Sequence, residues 1–331
     1  MTDDSRQLDS HAIEGALRQG DAASRAISLN LIIVGANQVN ELLERVAGVF
    51  PCRAIVIDLG RRRPAARVST GPRWECVRLA GPPSQLNLIA STAAALAMPG
   101  LPISAWWPDA TDLEAPLFNH LVDLADRIVL DSARSGESLA YLKSLARLVK
   151  EKQSVVSFAD MSWSRIYGWR LLVARLFDAP ADRANLAQVG EVTIGHGGNL
   201  AEPLLLAGWL SSRLGWELRP WPRSKSLPRN APARLVASTG ARDLSIHLKP
   251  RRAQPGLASL VIQAGDARYR VEREEGGVCS VVQGADGREV ADVCVPDSKE
   301  IDLLAAELGG YGRDRIYAES VEALVSLIGP G

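Results

Sequence analysis

LNLIIVGANQVNELLERVAGVFPCRAIVIDL, residues 29–59, is the stretch that decides the fold class. It holds two apolar runs, at residues 29–34 and 53–59, and such runs are typical of strands buried on both faces of a parallel sheet. Between them, apolar positions repeat with helical spacing at Val39, Leu42, Leu43 and Val46. A strand, a helix and a second strand in this order predict a βαβ unit with parallel strands.

The same alternation continues toward residue 215. Further strands are predicted at residues 74–79, 101–106, 127–130, 155–158 and 189–194, and a segment of helical length follows each of them. Residues 60–73, with five arginines, are expected to form a loop. We therefore predict an α/β domain over residues 28–215, with a Rossmann-like, doubly wound and mostly parallel sheet.

The remainder of the chain has a different pattern. Residues 216–234 contain four prolines and several basic residues, which favours an extended linker. Residues 235–331 begin with short strand-like runs separated by turns and end with two helical segments, which predicts a smaller α+β domain with an antiparallel sheet. Residues 1–27 are a polar N-terminal segment.

Composition excludes several classes of protein. The 38 Lys and Arg residues balance 38 Asp and Glu residues, and this argues against a nucleic-acid-binding protein. Nucleic-acid binding by Arg61–Arg63 and residues 219–234 remains an alternative. It is a weak one, because such residues more often form solvated loops. No apolar stretch is long enough to span a bilayer, and residues 1–27 lack the apolar core of a secretory signal. We expect a cytoplasmic protein without a membrane partner.

Catalytic and cofactor motifs are absent from the sequence. The first βα turn, VGAN at residues 34–37, has a single glycine, whereas a dinucleotide-binding fingerprint needs three. The chain also lacks a P-loop and a nucleophile elbow. Its histidines lie far apart without metal-ligand spacing, and we expect surface or turn-capping roles for them: His11, His120, His196 and His247. We therefore predict no cofactor, no metal and no catalytic residue.

One glycine-rich turn leaves an alternative open. Gly195, Gly197, Gly198 and Asn199 lie between a predicted strand and a predicted helix, where backbone N–H groups can hold an anion. An anion there would make the chain a sugar-phosphate-binding enzyme or sensor. The plainer interpretation, which we favour, is a tight βα turn in which Asn199 caps the helix together with Glu202.

Two cysteines are predicted to face each other. Asp286-Gly287 is typical of a two-residue hairpin turn, and counting back from it places Cys279 opposite Cys294. Directly paired strand residues lie within disulfide distance, so the two form a possible redox pair. Ordinary buried thiols are the commoner alternative in a cytosolic protein.

The chain is rich in tryptophan, with eight Trp against five Tyr and four Phe. Tryptophan is enriched in interaction hot spots, although a single Trp is more often part of a core. Trp106 and Trp107 end a predicted strand. Trp163 and Trp169 lie in one predicted helix, in which Arg165 precedes Trp169 by four residues and is placed to stack on it.

Several blocks that hold these tryptophans resemble the glucose-6-phosphate dehydrogenase assembly protein family, called OpcA. The resemblance covers about residues 28–220. It rests on five blocks in order: FPCRAIVIDL at 50–59, LPISAWWPDA at 101–110, ADRIVLDS at 125–132, ADMSWSRIYGWRLLVARLFD at 159–178 and PLLLAGWLSSRLGW at 203–216.

The resemblance implies a non-enzymatic allosteric activator that binds glucose-6-phosphate dehydrogenase, an enzyme of the oxidative pentose phosphate pathway. The residues predicted to contact this dehydrogenase are Trp106, Trp107, Trp163, Arg165, Trp169 and Arg170. The alternative is that the same indoles form a buried core. Solvent exposure separates the two, since a wholly buried indole offers a partner no surface.

Overall fold

The computed structural model describes residues 9–19, 26–35, 39–135, 138–222, 226–251, 255–283, 289–310 and 312–328. The chain divides into two compact units. The first unit comprises residues 1–134, 151–161 and 300–314. The second unit comprises residues 135–150, 162–299 and 315–331. Among the described residues, every helix is too short or too polar to cross a membrane.

Eleven helices lie within the described residues. They are α1 (Ser10–Gln19), α2 (Val39–Val49), α3 (Leu86–Leu96), α4 (Pro116–Leu124), α5 (Ser138–Lys152), α6 (Met161–Arg165), α7 (Tyr167–Leu176), α8 (Pro180–Asn185), α9 (Ala201–Leu214), α10 (Glu300–Gly309) and α11 (Arg315–Ala323). Short 3₁₀ turns join several of them.

A seven-stranded sheet forms the centre of the first unit. Its strands are β1 (Leu29–Val34), β2 (Cys52–Asp58), β3 (Ala65–Thr70), β4 (Trp74–Ala80), β5 (Ile103–Trp107), β6 (Arg127–Leu130) and β7 (Ser157–Asp160). Their order is β3-β4-β2-β1-β5-β6-β7. All neighbours run parallel except β3 and β4. The Rossmann-like, doubly wound and mostly parallel sheet predicted from the sequence is confirmed.

The edge strand β3 corrects one prediction. Residues 60–73 are not simply a loop, because Ala65–Thr70 pairs antiparallel with β4. Every residue of β3 is exposed or half-buried. An edge strand with this much contact with water needs no apolar run, and the periodicity of the sequence therefore could not reveal it.

Helix α10 packs in the core of the first unit. Leu304 and Leu308 join the buried cluster that contains the apolar face of α2 and the strands beneath it. Arg127 of β6 donates from Nε to the Glu307 carbonyl oxygen at 2.6 Å, and it also forms an ion pair with the Glu307 side chain. The prediction that this helix belongs to the C-terminal α+β domain is wrong, because its apolar face completes the first sheet's core.

An eight-stranded sheet forms the second unit. Its strands are β8 (Val189–His196), β9 (Glu217–Leu218), β10 (Ala233–Ser238), β11 (Asp243–Pro250), β12 (Leu257–Ala264), β13 (Ala267–Glu274), β14 (Gly277–Gln283) and β15 (Glu289–Pro296). Their order is β15-β14-β13-β12-β8-β11-β10-β9. Neighbours are antiparallel except for the parallel pair β8 and β11.

Strand β8 overturns the predicted end of the first sheet. It was expected to be the last strand of the parallel series, but it lies in the second sheet between β12 and β11. The compact units consequently do not follow the predicted domains at 28–215 and 235–331. Part of the expected linker at 216–234 is also structured, since β9 pairs with β10. An apolar run identifies a central strand, but it does not identify the sheet to which the strand belongs.

Candidate functional site

A stack of aromatic and arginine side chains lies in the second unit, on α6, α7 and α11. The guanidinium carbon of Arg170 lies 3.4 Å from the centroid of the Trp163 indole. Nη2 of Arg170 also donates to the Trp163 carbonyl oxygen, at 3.3 Å. The Tyr317 ring centroid lies 5.6 Å from that of Trp163. Contacts of these kinds each contribute about 0.5–2 kcal/mol and hold the indole in place.

A break between α6 and α7 sets this arrangement. A single helix was expected over residues 162–177, but Ile166 has a ψ of 9° and separates the two helices. Arg165 and Trp169 lie on different helices, so the spacing behind their predicted stack does not apply. The guanidinium of Arg170 covers Trp163 instead, and the one that lies over Trp169 belongs to Arg273 of β13, with its carbon 5.9 Å from the ring centroid. Arg165 is half-buried.

Three consecutive residues at the start of α7 have different surroundings. Tyr167 is 58% exposed, with its ring centroid 5.8 Å from the Arg170 guanidinium carbon. A Cβ on Gly168 would lie 3.4 Å from Val295 of β15, so the glycine leaves little room between α7 and the sheet. Trp169 is buried. The first turn of α7 therefore exposes Tyr167 to solvent on one side and packs against the sheet on its other side.

Three of the predicted contact tryptophans are buried. Trp106 is 6% exposed, Trp163 is 3% exposed and Trp169 is 1% exposed. A side chain with so little exposed area contributes almost none to an interface. The prediction that these three indoles form the contact surface is therefore wrong, and they belong to the core alternative.

The accessible members of the predicted set are Trp107, Arg165 and Arg170, all half-buried. Trp107, in the first unit, lies with its ring centroid 5.9 Å from that of Phe118. Sequence reasoning missed Tyr167, the most exposed ring of the stack. The feature of the sequence that could have identified Tyr167 is its position in the family block, one helical turn before Arg170.

In the glycine-rich turn at residues 195–199, the N–H groups of Gly197 and Gly198 are already bonded. Gly197 donates to a backbone carbonyl oxygen at 2.8 Å, and Gly198 donates to Nδ1 of His196 at 3.2 Å. The Asn199 side chain accepts from the N–H of Ala201 at 2.8 Å and closes a local turn just before α9. The Gly197 and Gly198 donors are therefore not free for an anion. The structure agrees with a tight βα turn, but Leu200 is the N-cap of α9 and no side chain caps the helix there.

Two further contacts explain the composition of this turn. A Cβ on Gly195 would lie 2.4 Å from Ser259 Oγ of β12, so a larger residue here would force the Ser259 hydroxyl to move. The buried Glu202 carboxylate accepts from the Leu257 N–H at 3.1 Å. An anionic ligand near a buried carboxylate is electrostatically unfavourable.

Of the surface and turn-capping roles expected for the histidines, His196 has the turn-capping one. Its side chain is fully buried, and burial lowers its pKa below the ordinary value. Within the described part of the chain, its Nε2 has no hydrogen-bond partner. The side chain therefore acts as a neutral acceptor that holds the turn.

The predicted cysteine pair is joined in the second unit. Cys279 of β14 is directly opposite Cys294 of β15, with Cα atoms 4.1 Å apart and a disulfide between the sulfurs. Cys294 is exposed and Cys279 is buried. The register shifts between this pair and the next, and the Asp286-Gly287 turn lies outside the described residues.

Comparison with known proteins matches both halves of the chain. Residues 156–321 match the family model for the C-terminal domain of the glucose-6-phosphate dehydrogenase subunit. Residues 43–147 match the model for its N-terminal domain. The C-terminal match alone spans half of the chain.

Curated relatives are cyanobacterial. The chain is 26% identical over 352 residues to the OxPP cycle protein OpcA of Synechocystis sp., covering 96% of this chain and 72% of the relative. It is 35% identical over 144 residues to a protein of the same name from Nostoc punctiforme, covering 43% of this chain and 30% of the relative.

Solved structures share the fold alone. The chain resembles KijD10, a 3-ketoreductase from Actinomadura kijaniata solved with NADP, with a TM-score of 0.55 and 9% sequence identity. The superposition covers 91% of this chain and 95% of the reductase. Identity this low gives no information about activity.

Proposed function

Because the chain belongs to the OpcA family of glucose-6-phosphate dehydrogenase assembly proteins, we propose that it binds this dehydrogenase and promotes its active, assembled form. In this role it is an allosteric activator and performs no chemistry of its own. The family match carries the proposal. The second unit adds a candidate contact point, the exposed Tyr167 supported by Arg170.

The lack of a nucleotide-binding fingerprint supports a non-enzymatic role. The fold is that of NADP-dependent reductases, but the turn after β1 begins with Gly35 and lacks the two further glycines that let a backbone approach a pyrophosphate. Among the described residues, no group of three or more His, Cys, Asp or Glu side chains is placed to hold a metal ion. A scaffold without its cofactor motif is well suited to act as a binding protein.

Activation requires preference for one state of the dehydrogenase. An activator shifts an enzyme toward its active conformation only by binding that conformation more tightly than the inactive one. By reciprocity, a substrate that favours the active conformation also tightens the complex. Dehydrogenase activity and complex affinity are therefore expected to rise together.

Mixing the purified chain with its cognate dehydrogenase tests the proposal. We expect a complex on size exclusion with light scattering, and a higher rate of NADPH formation than the enzyme shows alone. Glucose 6-phosphate should tighten the complex or leave its affinity unchanged. Separate elution of the two proteins together with an unchanged rate would refute the proposal.

A further inference from the structure

The outer face of the second sheet is a broad surface in contact with solvent. Along β12 and β10, buried side chains alternate with more exposed ones, so one face of the sheet packs inward and the other is open. Val261, Thr193 and Gln263 lie at the centre of the open face, which we call the outer face. All three are half-buried.

The area of this face suits a protein interface. Strands about 4.8 Å apart and up to eight residues long give an eight-stranded sheet a face of roughly 800 Å². Each partner contributes about 800 Å² to an interface of standard size.

The outer face also has the charge distribution of an interface. Its central strands carry the uncharged Thr193, Ser259, Val261 and Gln263, while Glu191 lies toward one end of β8. Charged residues of both signs flank this centre, including Arg268 and Glu272 on β13 and Lys249 on β11. Interfaces typically have a centre depleted of charge and a charged or polar rim.

The register of the strands shows how a second copy fits. Glu272, Ser259, Gly195 and Lys249 form one row across four strands, in that order. A two-fold axis parallel to the strands, between β12 and β8, would bring Glu272 of each copy opposite Lys249 of the other. An isologous interface requires this kind of self-complementarity.

Neighbouring rows fit the same axis. It places Val261 opposite Thr193 of the second copy, and Gln263 opposite Glu191. Within one chain, Glu272 and Lys249 are three strands apart, or about 14 Å, and are too distant to pair. We propose that the outer face of the second sheet is a homodimer interface, in which Glu272 pairs with Lys249 of the second copy.

Self-association of the purified full chain tests this proposal. In sedimentation velocity between about 1 and 100 μM, a range that brackets a moderate affinity, we expect reversible dimers. Val261→Lys inserts a charge at the centre and should raise the dimer dissociation constant at least tenfold. Val155→Lys, at a 59% exposed position in the first unit, is the matched control and should leave dimerisation unchanged.

A charge exchange tests the pairing itself. Glu272→Lys and Lys249→Glu each place like charges opposite one another and should each weaken the dimer. The double variant restores opposite charges and should dimerise like the wild type. Four proteins of equal affinity, or a wild type that stays monomeric, would overturn the proposal.

The dehydrogenase experiment separates this interface from the proposed function. Dimerisation is measured without the enzyme, so it can fail while activation persists, and the reverse also holds. If the wild type is monomeric and Val261→Lys instead loses dehydrogenase binding, the outer face belongs to the enzyme. That outcome would refute the homodimer.

Discussion

Tyr167 is the solvent-exposed neighbour of Arg170, with its ring centroid 5.8 Å from a guanidinium that covers a buried indole. A cation–π contact restricts this ring before any partner arrives, so binding costs it less rotamer freedom than it would cost an isolated side chain. An exposed aromatic side chain of this kind is a typical hot spot.

Tyr167→Ala is therefore expected to weaken dehydrogenase binding by about 2 kcal/mol, or roughly thirtyfold, if this part of α7 forms the contact. The free energy of unfolding should change by less than about 0.5 kcal/mol, because the ring is mostly exposed. Titration calorimetry and urea unfolding measure the two quantities. Val49→Ala, at a 64% exposed position, is the control, and equal losses in both variants would contradict the assignment.

The disulfide between Cys279 and Cys294 gives the second prediction. It closes a loop with a sequence separation of 15, and a loop of this size corresponds to about 3 kcal/mol of stabilisation. Since β14 and β15 pack against α7, reduction should also weaken dehydrogenase binding. Unfolding and binding measured with and without reductant check both effects.

Matched variants separate the disulfide from other thiols. Cys294→Ser should unfold like the reduced wild type and respond no further to reductant. The thiols of Cys52 and Cys76 are buried, and burial raises the pKa of Cys52 to about 12. Cys279 is also buried, whereas Cys294 is exposed, so iodoacetamide should label Cys294 well before any other thiol in the reduced folded protein. Identical unfolding of the wild type in both conditions would show that the bond does not stabilise the fold.

Comparison of three strands shows what the sequence can and cannot predict. β1 is buried throughout and its apolar run identified it directly. β3 has no apolar run because water reaches it, and it was missed. β8 was found, but its partners β11 and β12 lie more than 45 residues further along the chain, and local periodicity carries no information about such pairing.

The candidate site, too, could be predicted only in part from the sequence. The block identified the family correctly, but the direction of each side chain depends on the break at Ile166. A helix continued through this residue would preserve the spacing of Arg165 and Trp169. Because the break changes that geometry, Arg170 stacks on Trp163, and Tyr167 is the aromatic residue exposed to solvent.

The burial of His196 leads us to expect a loss of stability at acidic pH. The unfolded chain binds a proton on this side chain below a pH of about 6.5. Burial lowers the pKa in the folded chain, which therefore binds the proton only at lower pH. The unfolded state binds more protons in this window, so the free energy of unfolding falls as the pH drops below about 6.5, by at most about 1.4 kcal/mol per pH unit.

His196→Asn keeps an acceptor for the Gly198 N–H but does not titrate. We expect this variant to lose less stability than the wild type between about pH 7 and pH 5. Urea unfolding at both pH values measures the difference, and the same substitution at exposed His11 is the control. Parallel losses in the wild type and His196→Asn would show that other groups dominate.

Gly208 of α9 marks the closest approach of two helices in the second unit. A Cβ built on Gly208 would lie 2.3 Å from the Ser320 carbonyl oxygen of α11 and 3.0 Å from the Leu324 side chain. The backbone of α11 must move to admit even one methyl group, and α11 carries Tyr317 of the aromatic stack. Overpacking of this kind costs about 1–3 kcal/mol.

Gly208→Ala is therefore expected to lower the free energy of unfolding by about 1–3 kcal/mol, although alanine is the better helix former. Gly48→Ala is the matched control, since Gly48 lies in α2 and its added Cβ would have no atom within 4 Å apart from the neighbouring backbone of its own helix. The control should be neutral or gain up to about 1 kcal/mol from helix propensity. Because α11 must shift, Gly208→Ala should also change the near-UV circular dichroism of the Trp163 and Tyr317 rings. A stabilised Gly208→Ala protein with an unaltered spectrum would mean that α9 and α11 do not pack this closely in solution.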